Sequence, residues 1–189
     1  MALKLHTIIA STRPGRVGLH VGKWFHEYAL KHGGFDAALI DLADFDLPVY
    51  DEPHHPRLQK YEREHTKRWA ESVRSADAFV FVTPEYNYSP SPSLVNALDY
   101  VYLEWNYKPA CFVSYGGVSG GLRAVQVVKL QATALKLVTP PEGVPIPNVA
   151  QLIDKDKNFK SNDMIDLSAK TMLDELLKWA TALKQMRGL

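Results

Sequence analysis

The chain contains a single cysteine, Cys111, among 189 residues, so it cannot form an internal disulfide and gives no support to secretion. Cys111 lies in the apolar run 110–113, where a buried structural thiol is expected rather than a nucleophile. An excess of one charge is also lacking, because 22 basic residues balance 21 acidic ones to a net +1. This balance argues against a nucleic-acid or membrane partner held by bulk electrostatics.

Long hydrophobic runs are absent as well. The apolar run nearest the N-terminus is interrupted by Lys4 and His6, and it is too short for a signal peptide or a membrane span. We therefore expect a soluble, cytoplasmic protein. Its length suits one packed domain, residues 1–189, and is too short for two.

Short apolar runs alternate with segments of helical periodicity along the whole chain. The predicted strands are 3–10, 35–42, 78–83, 110–115 and 135–138. The predicted helices are 17–33, 58–73, 93–104, 121–134 and 165–180. Five repeats of this alternation predict an α/β fold, in which helices cover both faces of a parallel sheet.

Ligands of such sheets bind outside the carboxyl ends of the strands, at the point where the strand order reverses. The loops to consider are therefore 11–18, 84–91 and 114–121. The first contains Ser11, Arg13 and Arg16 directly before a helix, whose free N–H groups suit a phosphate. The alternative is a tight turn with solvated arginines. The loop matches neither the dinucleotide fingerprint nor the motif that binds nucleoside triphosphates.

The other two loops suit a flat ligand. Loop 84–91 places Tyr86, Asn87 and Tyr88 after a buried strand and is stiffened by prolines, although an ordinary proline-rich turn is the alternative. Loop 114–121 contains two glycine pairs that allow close backbone approach, although it could be a merely flexible loop. Together the three loops offer a phosphate site, aromatic side chains and bare backbone at one end of the sheet.

Other catalytic arrangements are not evident in the sequence. It shows no Ser-His-Asp set, no paired carboxylates at a plausible site and no metal-spaced cysteines and histidines. The adjacent His54 and His55 lie between prolines and are expected in a surface loop. We therefore predict no metal site and no catalytic side chain.

Three segments resemble the NAD(P)H-dependent FMN reductase family, which also includes quinone, azo-dye and chromate reductases. They are Ser-Thr-Arg-Pro-Gly-Arg-Val-Gly at 11–18, Pro-Glu-Tyr-Asn followed by Leu-x-Asn-Ala-Leu-Asp-Tyr within 84–100, and Gly-Gly-x-x-Gly-Gly at 116–121. The resemblance implies a flavodoxin-like fold with five parallel strands in the order 2-1-3-4-5. It also implies non-covalently bound FMN, with NADPH or NADH as co-substrate.

The resemblance implies which residues contact the cofactor. The FMN phosphate is expected at Ser11, Arg13, Arg16, Val17 and Gly18. The isoalloxazine ring is expected on Pro84, Glu85, Tyr86 and Asn87, and its pyrimidine edge at Ser114, Tyr115, Gly116 and Gly117.

This sequence departs from the family pattern near its third helix. Ala10 replaces the glycine that often precedes the first serine, Ser91-Pro92 replaces Pro-Gly, and Val95 replaces a common basic residue. The segment 93–104 is apolar around most of its circumference and resembles the family's dimer-forming helix. We expect a homodimer or a dimer of dimers, with deep burial inside the monomer as the alternative.

The implied activity is a ping-pong transfer of electrons from NAD(P)H through FMN to a small-molecule acceptor. Free flavin, a quinone, an azo compound or a metal oxyanion could be that acceptor. The alternatives are a flavodoxin-like electron carrier and a flavin- or nucleotide-sensing interaction module. Carriers of this kind tend to be strongly acidic, whereas this chain is nearly neutral.

Overall fold

The computed structural model describes residues 2–188. Its five strands form one sheet in which every neighbouring pair is parallel. The strands are β1 (Leu3–Ile9), β2 (Phe35–Asp41), β3 (Ala78–Pro84), β4 (Ala110–Tyr115) and β5 (Gly143–Ile146). Their order is β2-β1-β3-β4-β5, which confirms the predicted flavodoxin-like topology.

In the described part of the chain, five α-helices cover both faces of the sheet. They are α1 (Gly18–His32), α2 (Glu64–Ser75), α3 (Pro92–Tyr100), α4 (Leu122–Ala134) and α5 (Asp163–Met186). The buried residues of α1 and α5 share one apolar cluster, and those of α2, α3 and α4 share another. Among residues 2–188, no helix is long and apolar enough to cross a membrane.

The central strand β3 shows why continuous apolar runs form this sheet. All seven of its residues are buried. Phe79 and Phe81 pack towards α2, α3 and α4, whereas Val80 and Val82 pack towards α1 and α5. Successive side chains of a strand point to opposite faces, so a strand with a core on each side is apolar along most of its length.

The prediction of a fifth strand at 135–138 is wrong. Leu135 and Leu137 are buried beside α4, but only Val138 makes a bridge, to Pro109, and Lys136 has a left-handed φ of 55°. The fifth strand is β5, which pairs with β4 at the edge of the sheet and buries only Val144 and Ile146. An edge strand needs fewer apolar residues than a central one, so its pattern is weaker than that of the buried run before it.

Two predicted helices are shorter in the structure. Helix α2 begins at Glu64, because Leu58 belongs to a separate 3₁₀ turn. Helix α3 ends at Tyr100, where Val101 is extended before another short turn at Leu103–Trp105. The apolar residues Leu94, Ala97, Leu98 and Val101 are buried within this single chain. Burial inside the monomer therefore accounts for most of the apolar circumference of segment 93–104.

Candidate functional site

The three loops meet at the carboxyl end of the sheet. Loop 11–18 follows β1, and the N–H of Ala10 just before it donates to Val82 O at 3.0 Å. Ser11 Oγ lies 3.0 Å from Tyr86 Oη, which joins the first loop to the second. The N–H of Glu85 donates to Tyr115 O at 3.1 Å, which joins the second loop to the third. These bonds confirm that the loops are neighbours, as parallel strands require.

The first loop presents a hydroxyl and a cation before helix α1. Ser11 is fully buried, whereas Arg13 is exposed and Val17 occupies the N-cap position. The N-cap residue Val17 makes no side-chain hydrogen bond to this helix, and the Tyr115 hydroxyl lies against the backbone of Gly18. The amides that follow Gly18 and the helix dipole therefore remain available to an anion. The loop therefore has the chemistry of a phosphate site.

Arg16 is placed differently from Arg13. Its guanidinium forms an ion pair with Asp41, the last residue of β2, and both side chains are mostly buried. Arg16 Nε is buried and has no hydrogen-bond partner among the described residues. The pair reduces the charge that Arg16 can offer to an anion, while the unpartnered Nε leaves one donor unused.

Tyr115 links the third loop to the first helix. This tyrosine is 4% exposed, and its hydroxyl lies against Gly18, the first residue of α1. Burial raises the pKa of Tyr115, with a further contribution from Tyr86, so the phenol stays protonated. The side chain is part of the packing between β4 and α1.

The second loop contains a tight turn at residues 86–89, here called the 86–89 turn. Tyr86 and Ser89 exchange two backbone hydrogen bonds, of 2.8 and 2.9 Å. The central residues Asn87 and Tyr88 have φ angles of 51° and 68°. Two left-handed residues in succession define a type I′ turn, and this conformation is unfavourable for tyrosine. Something outside the turn must therefore stabilise it.

Glu85 does not present its carboxylate to the solvent side of the site. The side chain is 5% exposed and accepts hydrogen bonds from Ser119 Oγ at 3.0 Å and from Arg123 Nε at 2.6 Å. Burial alone would raise the pKa of Glu85, but these hydrogen bonds and the charge of Arg123 hold it below its usual value. Glu85 therefore stays ionised and fastens the second loop to the start of α4.

Ser119 and Arg123 are residues that the sequence reading missed. Ser119 lies inside the third loop and Arg123 two residues beyond it, and both are 34 or more positions from Glu85. The only sequence signal was an arginine two residues after a glycine-rich loop. That signal does not reveal a partner, because the contact exists only once β3 and β4 are paired.

The third loop is closed by its own backbone. Ser114 Oγ donates to Gly120 O at 2.8 Å, and Gly120 and Gly121 have φ angles of 59° and 81°. A Cβ atom on Gly121 would lie 2.8 Å from Tyr115 N, so a glycine is required there. Gly117 is different, because a Cβ atom there would meet nothing within 4 Å. Its backbone therefore borders open space.

These groups fit FMN in kind and in order. The Ser11 hydroxyl, the Arg13 cation and the free end of α1 suit a phosphate. The 86–89 turn and the open backbone at Gly117 suit a flat ring with polar edges. Pro84 is buried as the last residue of β3, and Asn87 is exposed at the tip of the turn.

Comparison with known proteins identifies a family of FMN reductases, in agreement with the FMN-binding chemistry of the three loops. Residues 3–151 match the family model described as NADPH-dependent FMN reductase. An NAD(P)H-dependent FMN reductase of Schizosaccharomyces pombe is 41% identical over 140 residues, which cover 73% of this chain and 70% of the relative. A quinone reductase of Pseudomonas putida is 32% identical over 142 residues, which cover 71% of this chain and 73% of the relative.

Solved structures share the fold at low sequence identity. A flavoenzyme NAD(P)H:(acceptor) oxidoreductase from Paracoccus denitrificans superposes with a TM-score of 0.74 at 21% identity. The match covers 95% of this chain and 98% of that protein. At this identity the likeness establishes the shared fold and nothing finer.

Proposed function

The chain belongs to the NADPH-dependent FMN reductase family and is an oxidoreductase, and from this we propose that it acts as one domain that binds FMN non-covalently. Electrons would pass from NAD(P)H to a small-molecule acceptor at the same site. The observation that carries this proposal is the junction of the three loops through the Ser11–Tyr86 and Glu85–Tyr115 hydrogen bonds.

The first loop would hold the FMN phosphate. Ser11 and Arg13 are the proposed side-chain ligands, together with amides at the start of α1 beside Val17 and Gly18. Arg16 would contribute less, because Asp41 already neutralises part of its charge. An anion at this helix terminus is favoured by the dipole and by the charge-assisted hydrogen bonds.

The second and third loops would hold the ring. The backbone of Pro84 and the side chains of Tyr86 and Asn87 would support one side, and the backbone at 114–117 would border the pyrimidine edge. Glu85 would act from behind the loop, because its carboxylate is already occupied by Ser119 and Arg123. A preformed loop lowers the ordering cost of binding.

Bound FMN would supply the chemistry, a ring that accepts hydride from a nicotinamide and returns electrons to an acceptor. The protein would position the donor and the acceptor in turn on the same open side, so that the donor leaves before the acceptor enters. This ping-pong order follows from one shared site. The acceptor would be a free flavin, a quinone, an azo compound or a metal oxyanion, and relatives named quinone reductase and azoreductase support that class.

An anaerobic absorbance experiment tests the proposal. The protein is reconstituted with FMN, and one equivalent of NADPH is added, followed by a quinone. We expect flavin bands that bleach and then return. Bands that never bleach with NADPH or NADH would overturn the reductase proposal in favour of an electron carrier, and absence of bound flavin would overturn the assignment of the three loops.

We further propose a homodimer, or a dimer of dimers, through the part of segment 93–104 that the monomer leaves open. Leu103 is 51% exposed there, and Tyr102 is partly exposed. Sedimentation analysis of the wild type and of Leu103→Asp tests this, with dissociation expected for the variant. A wild type that stays monomeric at micromolar concentration would contradict it.

A cytoplasmic location also stays a prediction from cysteine usage.

A further inference from the structure

One side chain contacts both the base and the tip of the second loop. Arg123 lies in the first turn of α4, and its Nε donates to Glu85 Oε1 at 2.6 Å. Its guanidinium carbon lies 3.9 Å from the ring centroid of Tyr88, at the tip of the 86–89 turn. An arginine can do both at once, because its planar group forms directed hydrogen bonds at its edge and stacks through its face.

Glu85 acts as the missing cap of helix α4. No side chain of the helix itself caps its N-terminus, where Gly121 holds the N-cap position. Glu85 Oε2 accepts the backbone N–H of Arg123 at 3.2 Å and the hydroxyl of Ser119 at 3.0 Å. A carboxylate at a helix N-terminus is favoured by the dipole and satisfies an otherwise unpaired amide. The base of the second loop is thereby fixed to the third loop and to α4.

The 86–89 turn, at the tip of the second loop, needs a stabilising contact of its own. Tyr88 has a φ of 68°, and the residue is 65% exposed. A tyrosine in this conformation is disfavoured, and its own packing against the protein is slight. The Arg123 guanidinium covers one face of its ring. The contact therefore stabilises a turn that the local sequence disfavours.

We propose that Arg123 is a positioning residue that holds the 86–89 turn in place, and that the affinity for FMN depends on it without direct contact. The dependence of FMN affinity on Arg123 rests on the proposed function. The role of Arg123 in holding the turn concerns only the protein's own residues, so it can be tested in the absence of any flavin.

The test compares Arg123→Lys with a matched control, Arg74→Lys. Arg74 is 55% exposed and pairs at 3.0 Å with Glu104, whose side chain is 1% exposed. The side chain of Arg123 is similarly 50% exposed, and that of its partner Glu85 is 5% exposed. Arg74 lies near the end of α2, which precedes β3, and therefore at the opposite end of the sheet from the loops. Lysine keeps the positive charge in both variants, but it lacks the paired N–H donors and the planar face of the guanidinium group.

Two quantities are measured for each protein: hydrogen exchange of the Ser89 amide in flavin-free protein, and the FMN dissociation constant from fluorescence quenching. We expect Arg123→Lys to speed the exchange and to raise the Kd, each by about tenfold, and Arg74→Lys to change neither. Tyr88→Leu, which removes the stacked ring, should change both in the same direction by a smaller factor.

Each other outcome has a definite meaning. Unchanged exchange in Arg123→Lys would overturn the positioning role, and an increased Kd without faster exchange would show that Arg123 contacts the cofactor directly. Faster exchange with an unchanged Kd would refute the link to FMN. If wild-type protein binds no FMN, the proposed function fails, while the exchange comparison still decides whether Arg123 holds the turn.

Discussion

The hydroxyl of Tyr115, at the end of β4, lies against Gly18, the first residue of α1, in the space that a side chain at position 18 would occupy. A Cβ atom added to Gly18 would collide with the phenolic oxygen. The tyrosine is 4% exposed and packs in the cluster beneath α1 and α5, so it has little freedom to move aside. The start of α1 and the base of the third loop are therefore fitted to one another at this contact.

Gly18→Ala is expected to lower the free energy of unfolding by about 1–3 kcal/mol, the usual cost of overpacking. The higher helix propensity of alanine would offset about 1 kcal/mol of a larger loss. Urea denaturation of flavin-free protein measures the change. Tyr115→Phe in the Gly18→Ala background should restore part of the stability, because it removes the colliding oxygen. A Gly18→Ala variant as stable as the wild type would contradict the contact.

Gly117→Ala is expected to affect binding without affecting stability. Gly117 has no left-handed φ, and no atom of residues 2–188 lies within 4 Å of an added Cβ atom. The free energy of unfolding of flavin-free protein should stay within about 0.5 kcal/mol of the wild type. If the flavin ring approaches this backbone, the methyl group should raise the FMN Kd by about tenfold. An unchanged Kd would remove Gly117 from the site.

Substitutions of Ser11 and Tyr86 can distinguish two roles of the first loop, its contact with the second loop and its proposed binding of the FMN phosphate. Ser11→Ala and Tyr86→Phe each break the 3.0 Å hydrogen bond, but only Ser11→Ala removes a proposed phosphate ligand. We expect Tyr86→Phe to weaken FMN and riboflavin alike, by up to about tenfold. Ser11→Ala should weaken FMN more than riboflavin, which has no phosphate. Equal losses for both ligands in Ser11→Ala would place the phosphate elsewhere.

The fold was largely predictable because its central strands are buried on both faces. The run that became β3 needs no partner to be recognised, since all seven residues are apolar or buried in the structure. The edge strand β5 was not predictable in the same way. It buries only Val144 and Ile146, whereas the earlier run containing Leu135 and Leu137 is more apolar and packs beside a helix. Apolar periodicity alone does not distinguish these two uses.

The site was predictable as three loops but not as a set of contacts. The topological rule places Ser11, Tyr86 and Gly117 at one end of the sheet without any knowledge of side-chain direction. It cannot reveal that Arg16 turns to Asp41, or that the Glu85 carboxylate turns to Arg123. Both pairs join segments that are distant in sequence, and each depends on the register of neighbouring strands. Sequence patterns therefore find the location, and packing decides which groups remain free.

A buried amine at the opposite end of the sheet predicts a pH dependence of stability. Lys108 is 6% exposed and donates to Val73 O at 2.8 Å and to Arg74 O at 3.0 Å. Burial and, to a smaller extent, the charge of Arg187 lower the pKa of Lys108 to about 7, although the nearby carboxylates of Asp77 and Glu104 act in the opposite direction.

The sign of this effect follows from proton linkage. An unfolded lysine keeps its proton up to a pH of about 10.4, so between that value and pH 7 the unfolded state binds more protons. The contribution of Lys108 to the free energy of unfolding therefore rises with pH above 7, by at most about 1.4 kcal/mol per unit, and is flat below. Lys108→Met and Lys108→Arg should both lack this rise, since neither titrates in the range. Urea denaturation from pH 6 to 9 measures it, and parallel curves for all three proteins would show that Lys108 stays charged in the folded state.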